Sequence, residues 1–207
     1  MKMKALLSLT CAAALTVACG GDGRTESVTT GNEEVIAERG VDSDERDFVE
    51  EIAIASAAEI ELGQMAVQKA SNPEVKKYGQ MMVDDHTKAG EELKQLAQQY
   101  NITVPAALDE KHRDLRDKLA NLSGREFDEA YIDAMVDSHQ NVVDKLQARV
   151  DDRDRGVAGT SGTTTTSVQP EEADDHAEAS VNMWAASTLP AVKAHLDHAK
   201  QLEERVD

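Results

Sequence analysis

The chain of 207 residues carries 40 acidic and 22 basic side chains, so its formal net charge at pH 7 is −18. A surface of this sign repels phosphates, which argues against binding to nucleic acid or to anionic lipid surfaces. The only cysteines are Cys11 and Cys19, both close to the start of the chain, so no disulfide is expected to stabilise the folded domain.

The first 18 residues have the features of a secretory signal. Lys2 and Lys4 precede the apolar run ALLSLTCAAALTVA, which has signal-peptide length and is short for a membrane-spanning helix. The letters LTVACGG resemble a bacterial lipobox, in which Cys19 becomes the lipidated first residue of the mature chain. Gly20 after the cysteine is typical of delivery to the outer membrane. The sequence therefore predicts an outer membrane lipoprotein that faces the periplasm and contacts the membrane through its lipid; an ordinary secretory signal is the alternative.

Two polar stretches interrupt the rest of the chain. Residues 19–43 are rich in Gly, Thr and Glu and lack sustained periodicity, which predicts a flexible tether. The stretch RGVAGTSGTTTTSVQP at 155–170 predicts a disordered loop. The sequence predicts that residues 44–207 form one folded domain, which contains this loop.

The first half of the domain predicts two helices joined by a tight turn. Apolar residues recur at helical spacing over about 44–70, helix A, and over about 73–100, helix B. Between them, Asn72 can cap the second helix and Pro73 suits its first position.

The second half predicts a short polar helix over about 108–121 and two further long helices, C and D. Helix C begins after Ser123, and helix D covers about 172–206, with a kink expected at Pro190. No segment has a convincing strand pattern. The sequence therefore predicts an all-α fold, an antiparallel four-helix bundle with a short extra helix between helices B and C.

Each long helix places one ionisable residue on its apolar face. Helix A offers Glu59, with Glu61 on a second stripe as the alternative, and helices B, C and D offer His86, His139 and His195. At 1.5 Å per residue, Glu59 and His86 lie within about 3 Å of the same height. His139 lies level with His86 if the connection between their helices closes squarely, whereas the height of His195 stays open.

Four buried ionisable groups would each cost free energy without partners, so we expect them to converge. Three imidazoles and one carboxylate form a reasonable ligand set for one divalent transition metal such as Zn, Mn or Fe. A metal-free polar layer, satisfied by hydrogen bonds and water, is the alternative. Asp85 and Asp137 lie just off the stripes; together with Glu61 they are either solvated or hydrogen-bonded to the site from outside.

Four segments taken together resemble a known family. AEIELGQMA at 58–66, MMVDDHTKAGEEL at 81–93, YIDAMVDSHQ at 131–140 and TLPAVKAHL at 188–196 are similar to the bacterial ferritin-like family catalogued as domain of unknown function 4142. The resemblance covers residues 46–206. It implies a ferritin-like bundle and a location in the cell envelope, and it brings no established reaction.

A ferritin-like bundle raises the question of iron oxidation. Di-iron bundles carry Glu-x-x-His on two helices, whereas Val83, Val136 and Val192 occupy the position three residues before each histidine. A ferroxidase centre is therefore not expected, and no other catalytic motif stands out. The sequence predicts a noncatalytic, lipid-anchored envelope protein with a single metal or polar site. A metal-dependent ferritin-like oxidoreductase and a purely structural or interaction module are the alternatives.

Overall fold

The computed structural model describes residues 41–159 and 172–206. Within these ranges the chain forms five helices and no β-strand, which confirms the all-α class. The helices are α1 (Ser43–Lys69), α2 (Pro73–Gln99), α3 (Glu110–Ala120), α4 (Gly124–Gly159) and α5 (Glu172–Val206). The predicted signal peptide, Cys19, nearly all of the predicted tether and residues 160–170 of the predicted loop lie outside the described residues.

One boundary differs from the prediction. Helix α4 continues to Gly159, so residues 155–159, assigned to the loop, are helical. Extending an existing helix costs far less than starting one, which explains how a segment with two glycines can still continue it. Helix α5 runs through Pro190 without interruption. None of the helices in the described ranges combines the length and apolarity needed to cross a bilayer.

The turn between α1 and α2 is fixed by a local cap and by one buried acid. The side chain of Asn72 accepts a hydrogen bond of 2.8 Å from the backbone N–H of Glu74, and Pro73 begins the helix. Asp128 of α4 is 2% exposed and accepts from the backbone N–H groups of Ser71, at 3.0 Å, and Asn72, at 2.8 Å. This turn therefore lies against the beginning of α4.

Contacts at the helix ends show how the helices run. Arg205, near the end of α5, lies 2.7 Å from Glu74, near the start of α2. At the opposite end, the Tyr100 hydroxyl donates to the carbonyl of His176, at 3.1 Å. Helices α1 and α2 are antiparallel, as are α4 and α5. Helices α2 and α4 run in the same direction, because residues 100–123, which include α3, return along the length of the helices.

The interior contains two hydrophobic clusters, one towards each end. The cluster next to the α1–α2 turn, here called the turn-side cluster, is built around Leu62, Tyr78, Met82, Phe127, Tyr131, Met135 and Leu202. The cluster at the other end, the far-side cluster, is built around Phe48, Ile52, Leu93, Leu146, Val181 and Leu196. The four ionisable residues of the apolar stripes lie between these clusters.

Candidate metal centre

One ionisable side chain from each of the four long helices enters a common polar layer. Glu59 is 2% exposed, His86 8%, His139 0% and His195 6%. The centroids of the three imidazole rings lie 5.6 to 5.7 Å apart. One nitrogen of each ring lies within 4.8 Å of a nitrogen of the other two. The structure thus brings together the four residues that the helical spacing singled out.

Glu59 contacts two of the three histidines. Its Oε2 lies 2.6 Å from Nε2 of His86, and its Oε1 lies 3.4 Å from Nδ1 of His139. The hydroxyl of Ser138 donates a hydrogen bond of 2.6 Å to Oε1. Burial alone would raise the pKa of Glu59, but the charges of His139 and His86, with hydrogen bonds, hold it well below its usual value. The carboxyl group is therefore ionised.

Two of the rings are oriented by acceptors outside the layer. Nδ1 of His139 lies 2.8 Å from the carbonyl oxygen of Met135, and Nε2 of His195 lies 2.8 Å from Oδ2 of Asp85. A carbonyl and a carboxylate oxygen can only accept, so these two nitrogens carry protons. The other nitrogen of each ring, Nε2 of His139 and Nδ1 of His195, is left with a lone pair.

The third ring follows the same scheme. The hydroxyl of Ser56 donates to the carbonyl oxygen of His86, at 3.2 Å, so it receives the proton of Nδ1 of His86, at 3.4 Å. Nε2 of His86 is then the inward nitrogen, and it lies 2.6 Å from Oε2 of Glu59. All three inward nitrogens are buried; within the described residues, Nε2 of His139 and Nδ1 of His195 have no hydrogen-bond partner, whereas Nε2 of His86 is paired with Glu59.

The pKa values of His86 and His195 shift in opposite directions. Burial lowers the pKa of His195, and the hydrogen bond that the ring donates to Asp85 does not offset this, so the ring is neutral at pH 7. Burial also acts to lower the pKa of His86, but the charge of Glu59 outweighs it and the pKa is raised. In the metal-free protein His86 can therefore hold a proton against Glu59, and a bound cation would displace it.

The donor set fits one transition-metal ion. Metal–nitrogen bonds of 2.0–2.1 Å in tetrahedral geometry place the ligand nitrogens about 3.4 Å apart. Closing from 4.8 Å to that separation requires each ring to move inward by less than about 1 Å. Imidazole donors suit Zn, Cu, Fe and Ni, whereas Ca and Mg prefer oxygen ligands.

The other acids near the quartet have different positions. Glu61 is exposed and lies 3.7 Å from Arg116 of α3, so Glu59 is the inward acid of α1 and Glu61 is not part of the layer. Asp85 is half exposed, and its carboxylate reaches inward to His195. Asp137 is exposed and lines a groove between α1, α3 and α4 that reaches Glu59 but none of the three histidines.

Sequence reasoning missed the polar groups that hold the layer from outside. Ser56 precedes Glu59 by three residues, so helical spacing could have placed it near the site. The Met135 carbonyl lies four residues before His139 in the same helix, so helical spacing could have indicated it as well. Ser138 carries no such signal, because its contact with Glu59 depends on how α4 faces α1. Tyr78 also contributes, since its hydroxyl donates to the carbonyl oxygen of His195, at 3.3 Å.

Comparison with known proteins gives one family match and two similar structures. The sequence model described as domain of unknown function (DUF4142) matches residues 31–157. The structure of CopM in the Cu(II)-bound form is 22% identical and covers 74% of this chain and 95% of its own, with a TM-score of 0.46. The structure of CopM in the Ag-bound form is 23% identical and covers 72% of this chain and 93% of its own, with a TM-score of 0.44. No curated protein matches the sequence. The two TM-scores are too low to carry an argument, so the centre is judged by its own residues.

Proposed function

We propose a function for this chain, which belongs to the family described as domain of unknown function (DUF4142). That description includes no activity, so the proposal rests on the centre itself: the protein binds one divalent transition-metal ion in the cell envelope. The ligands are His86, His139 and His195, with Glu59 as the fourth. The observation that carries the proposal is the convergence of three buried imidazoles, each with one nitrogen within 4.8 Å of a nitrogen of the other two, beside the carboxylate of Glu59.

The energetics of burial support this assignment. A buried polar atom without a partner costs roughly 1–3 kcal/mol; two of the three inward ring nitrogens are such atoms, and the third is paired only with Glu59. A single cation satisfies all three, because the outer nitrogen of each ring already has a partner that fixes the tautomer. Zn, Mn and Fe are the candidate ions. Cu(II) is expected to bind such a nitrogen-rich site tightly in vitro, since it heads the general order of affinities.

The site is proposed to hold one metal ion. Val83, Val136 and Val192 precede the histidines by three residues, where di-iron bundles place carboxylates that bridge two ions. Aliphatic side chains cannot take that role. The proposal is therefore a mononuclear, noncatalytic centre and not a ferroxidase.

Metal analysis of protein produced without an affinity tag tests the proposal. We expect about one equivalent of metal per chain after dialysis, and a rise in melting temperature when the ion is returned to chelator-treated protein. His139→Ala should lose both. His112→Ala is the matched control, because His112 lies in α3 and contacts Asp109 outside the layer. If no ion among Zn, Mn, Fe and Cu binds or shifts the melting temperature, the quartet is a metal-free polar layer.

We also propose a specific type of helical bundle and a specific location in the cell. The two antiparallel pairs, with a long connection between α2 and α4, support a ferritin-like four-helix bundle.

The segment LTVACGG supports anchoring in the outer membrane through lipidated Cys19, with the domain in the periplasm. Growing cells with a labelled fatty acid tests the anchor: the wild type should carry the label and Cys19→Ala should not. An unlabelled wild type would contradict it.

A further inference from the structure

The two sides of the polar layer are filled by side chains of different size. On the turn side, the residues one helical turn from the four site residues are no more than 1% exposed and mostly large: Leu62, Met82, Met135 and Ala199. On the far side the corresponding residues are mostly small: Ala55, Ala89, Val142 and Ala191. Packing therefore closes one side of the centre and leaves space on the other.

That space is a cleft between α2 and α5 with a cavity of about 50 Å³. It reaches Glu59, His86 and His195, whereas His139 is completely buried behind them. Asp85 and Ala191 at its edge are exposed, so the cleft communicates with solvent. A molecule from solution can thus approach the centre from this side.

The size and lining of the cleft restrict what it can hold. One water needs roughly 10–15 Å³, and an apolar cavity of about 150 Å³ holds benzene, so 50 Å³ suits a molecule of two or three non-hydrogen atoms. Most of the wall is aliphatic, with Ile52, Ala55, Leu93 and Leu146 on its inner part. The carboxylates of Glu59 and Asp85, which line the cleft, already balance the charge of a divalent ion, so an anion would lose its hydration there without a compensating charge. This favours an uncharged ligand.

We propose that this cleft binds a small uncharged ligand of the diatomic class, such as dioxygen, nitric oxide or carbon monoxide, beside His86 and His195. This inference rests on the proposed function, because the metal ion supplies the bond to the ligand. With three imidazoles and Glu59 as ligands, an ion that accepts five or six ligands, such as Fe(II), keeps a further coordination position, and the cleft provides a path to it. The proposal concerns binding alone, with no bond of the ligand broken.

Two measurements with one set of variants test this. Ala89→Leu narrows the cleft from α2, and Ala130→Leu, half-buried beside the turn-side cluster, is the control. In metal-free protein, xenon binding followed by ¹²⁹Xe NMR should occur in the wild type and the control and be lost in Ala89→Leu. In anaerobic Fe(II)-loaded protein, nitric oxide should give an iron–nitrosyl EPR signal, with affinity weakened by about tenfold or more in Ala89→Leu. The iron content should be equal in all three proteins.

The xenon and nitric oxide measurements distinguish failure of the cleft, of the ligand role and of metal binding. Absence of xenon binding in the wild type overturns the cleft, whatever the metal does. The ligand role is overturned if the iron-loaded wild type gives no nitrosyl signal, or if all three iron-loaded proteins bind nitric oxide with equal affinity. If no metal binds, the proposed function fails and the ligand role fails with it, while the xenon result still reports on the cleft. Thr188→Leu narrows the cleft from α5 and replaces Ala89→Leu if that variant does not fold.

Discussion

The three site histidines are oriented by partners of three different kinds. His139 uses a backbone carbonyl of its own helix, His86 a serine hydroxyl of α1, and His195 a carboxylate of α2. A carbonyl within the helix cannot be removed by substitution, and Ser56 is buried between helices. Asp85 is half exposed, so its contribution can be tested with little disturbance of the core.

Replacing Asp85 with Ala is expected to weaken metal binding by about 10- to 100-fold, because His195 loses the acceptor that fixes its tautomer and orientation. Competition with a chromogenic chelator measures this. Asp84→Ala removes the same charge from a neighbouring exposed position, where Asp84 accepts a hydrogen bond from Gln80, and it should bind the metal as the wild type does. Asp85→Asn keeps an acceptor oxygen and should retain most of the affinity. Equal affinity in Asp85→Ala would show that packing alone orients the ring.

The contact between Glu59 and His86 predicts how the stability of the chelator-treated protein depends on pH. The raised pKa of His86 means that, above pH 6.5, the folded state holds a proton that the unfolded state has lost. The free energy of unfolding should therefore fall as pH rises from 6.5 through the raised pKa. In Glu59→Gln the carboxylate that raises the pKa is gone, so this decline should disappear. Urea denaturation at a series of pH values measures the difference.

Two other groups act only at lower pH, so they do not obscure this decline. The lowered pKa of His195 destabilises the folded state only below 6.5, where the unfolded state takes up a proton. The lowered pKa of Glu59 contributes stability that is present above 4.5 and is lost as pH falls further. A decline above pH 6.5 that is equal in the wild type and Glu59→Gln would show that the pair does not cause it.

Helices α1 and α2 approach each other closely where two glycines meet. A Cβ atom at Gly79 would lie 2.7 Å from Cβ of Ala66 and 2.9 Å from the backbone oxygen of Gly63. A Cβ atom at Gly63 would lie 2.7 Å from the backbone oxygen of Gly79. Backbone atoms cannot move aside as a flexible side chain can. The close contact depends on both residues remaining glycine.

Gly79→Ala is therefore expected to lower the free energy of unfolding by about 1–3 kcal/mol, because the helices must separate to admit the methyl group. Gly90→Ala in the same helix is the control. Its Cβ atom would meet only Ser56 Oγ, at 3.5 Å, and alanine favours a helix over glycine by up to about 1 kcal/mol. Gly90→Ala should then be neutral or stabilising in urea denaturation. Similar losses in both variants would contradict the close approach.

Helical spacing was enough to predict the four long helices and the histidine on each of three apolar faces, whereas it left Glu59 and Glu61 as alternatives on the first helix and the height of His195 open. The direction of α4 was not predictable, because it depends on α3 lying along α1, where Lys69 donates to the carbonyl of Leu119, at 3.0 Å. His86 lies 13 residues from either end of α2, so it stays level with His139 whichever way α4 runs. The cleft could not be foreseen, because it depends on side-chain sizes on four helices at once.

Across the described residues, the polar layer divides an interior that is mostly apolar. The turn-side and far-side clusters have aliphatic and aromatic residues at most positions facing inward. The layer replaces one level of that packing with a carboxylate and three imidazoles. Burying such groups offsets much of the attraction between them, so a layer of this kind contributes little to the stability of the metal-free protein. Its presence is better explained by binding than by folding.

Replacing the whole layer tests this interpretation. The combined variant Glu59→Leu, His86→Leu, His139→Leu and His195→Leu joins the two clusters. We expect its free energy of unfolding without metal to be unchanged or raised by about 1–4 kcal/mol, with metal binding lost. Glu59→Leu alone should instead destabilise the protein by on the order of 3 kcal/mol at pH 6, because the buried polar groups of His86 and Ser138 then lose the carboxylate that they share. Urea denaturation in the presence of chelator measures the free energy of unfolding of both variants. A combined variant less stable than Glu59→Leu would mean that the hydrogen bonds of the layer hold the helices together, and the layer would then be structural without any ion.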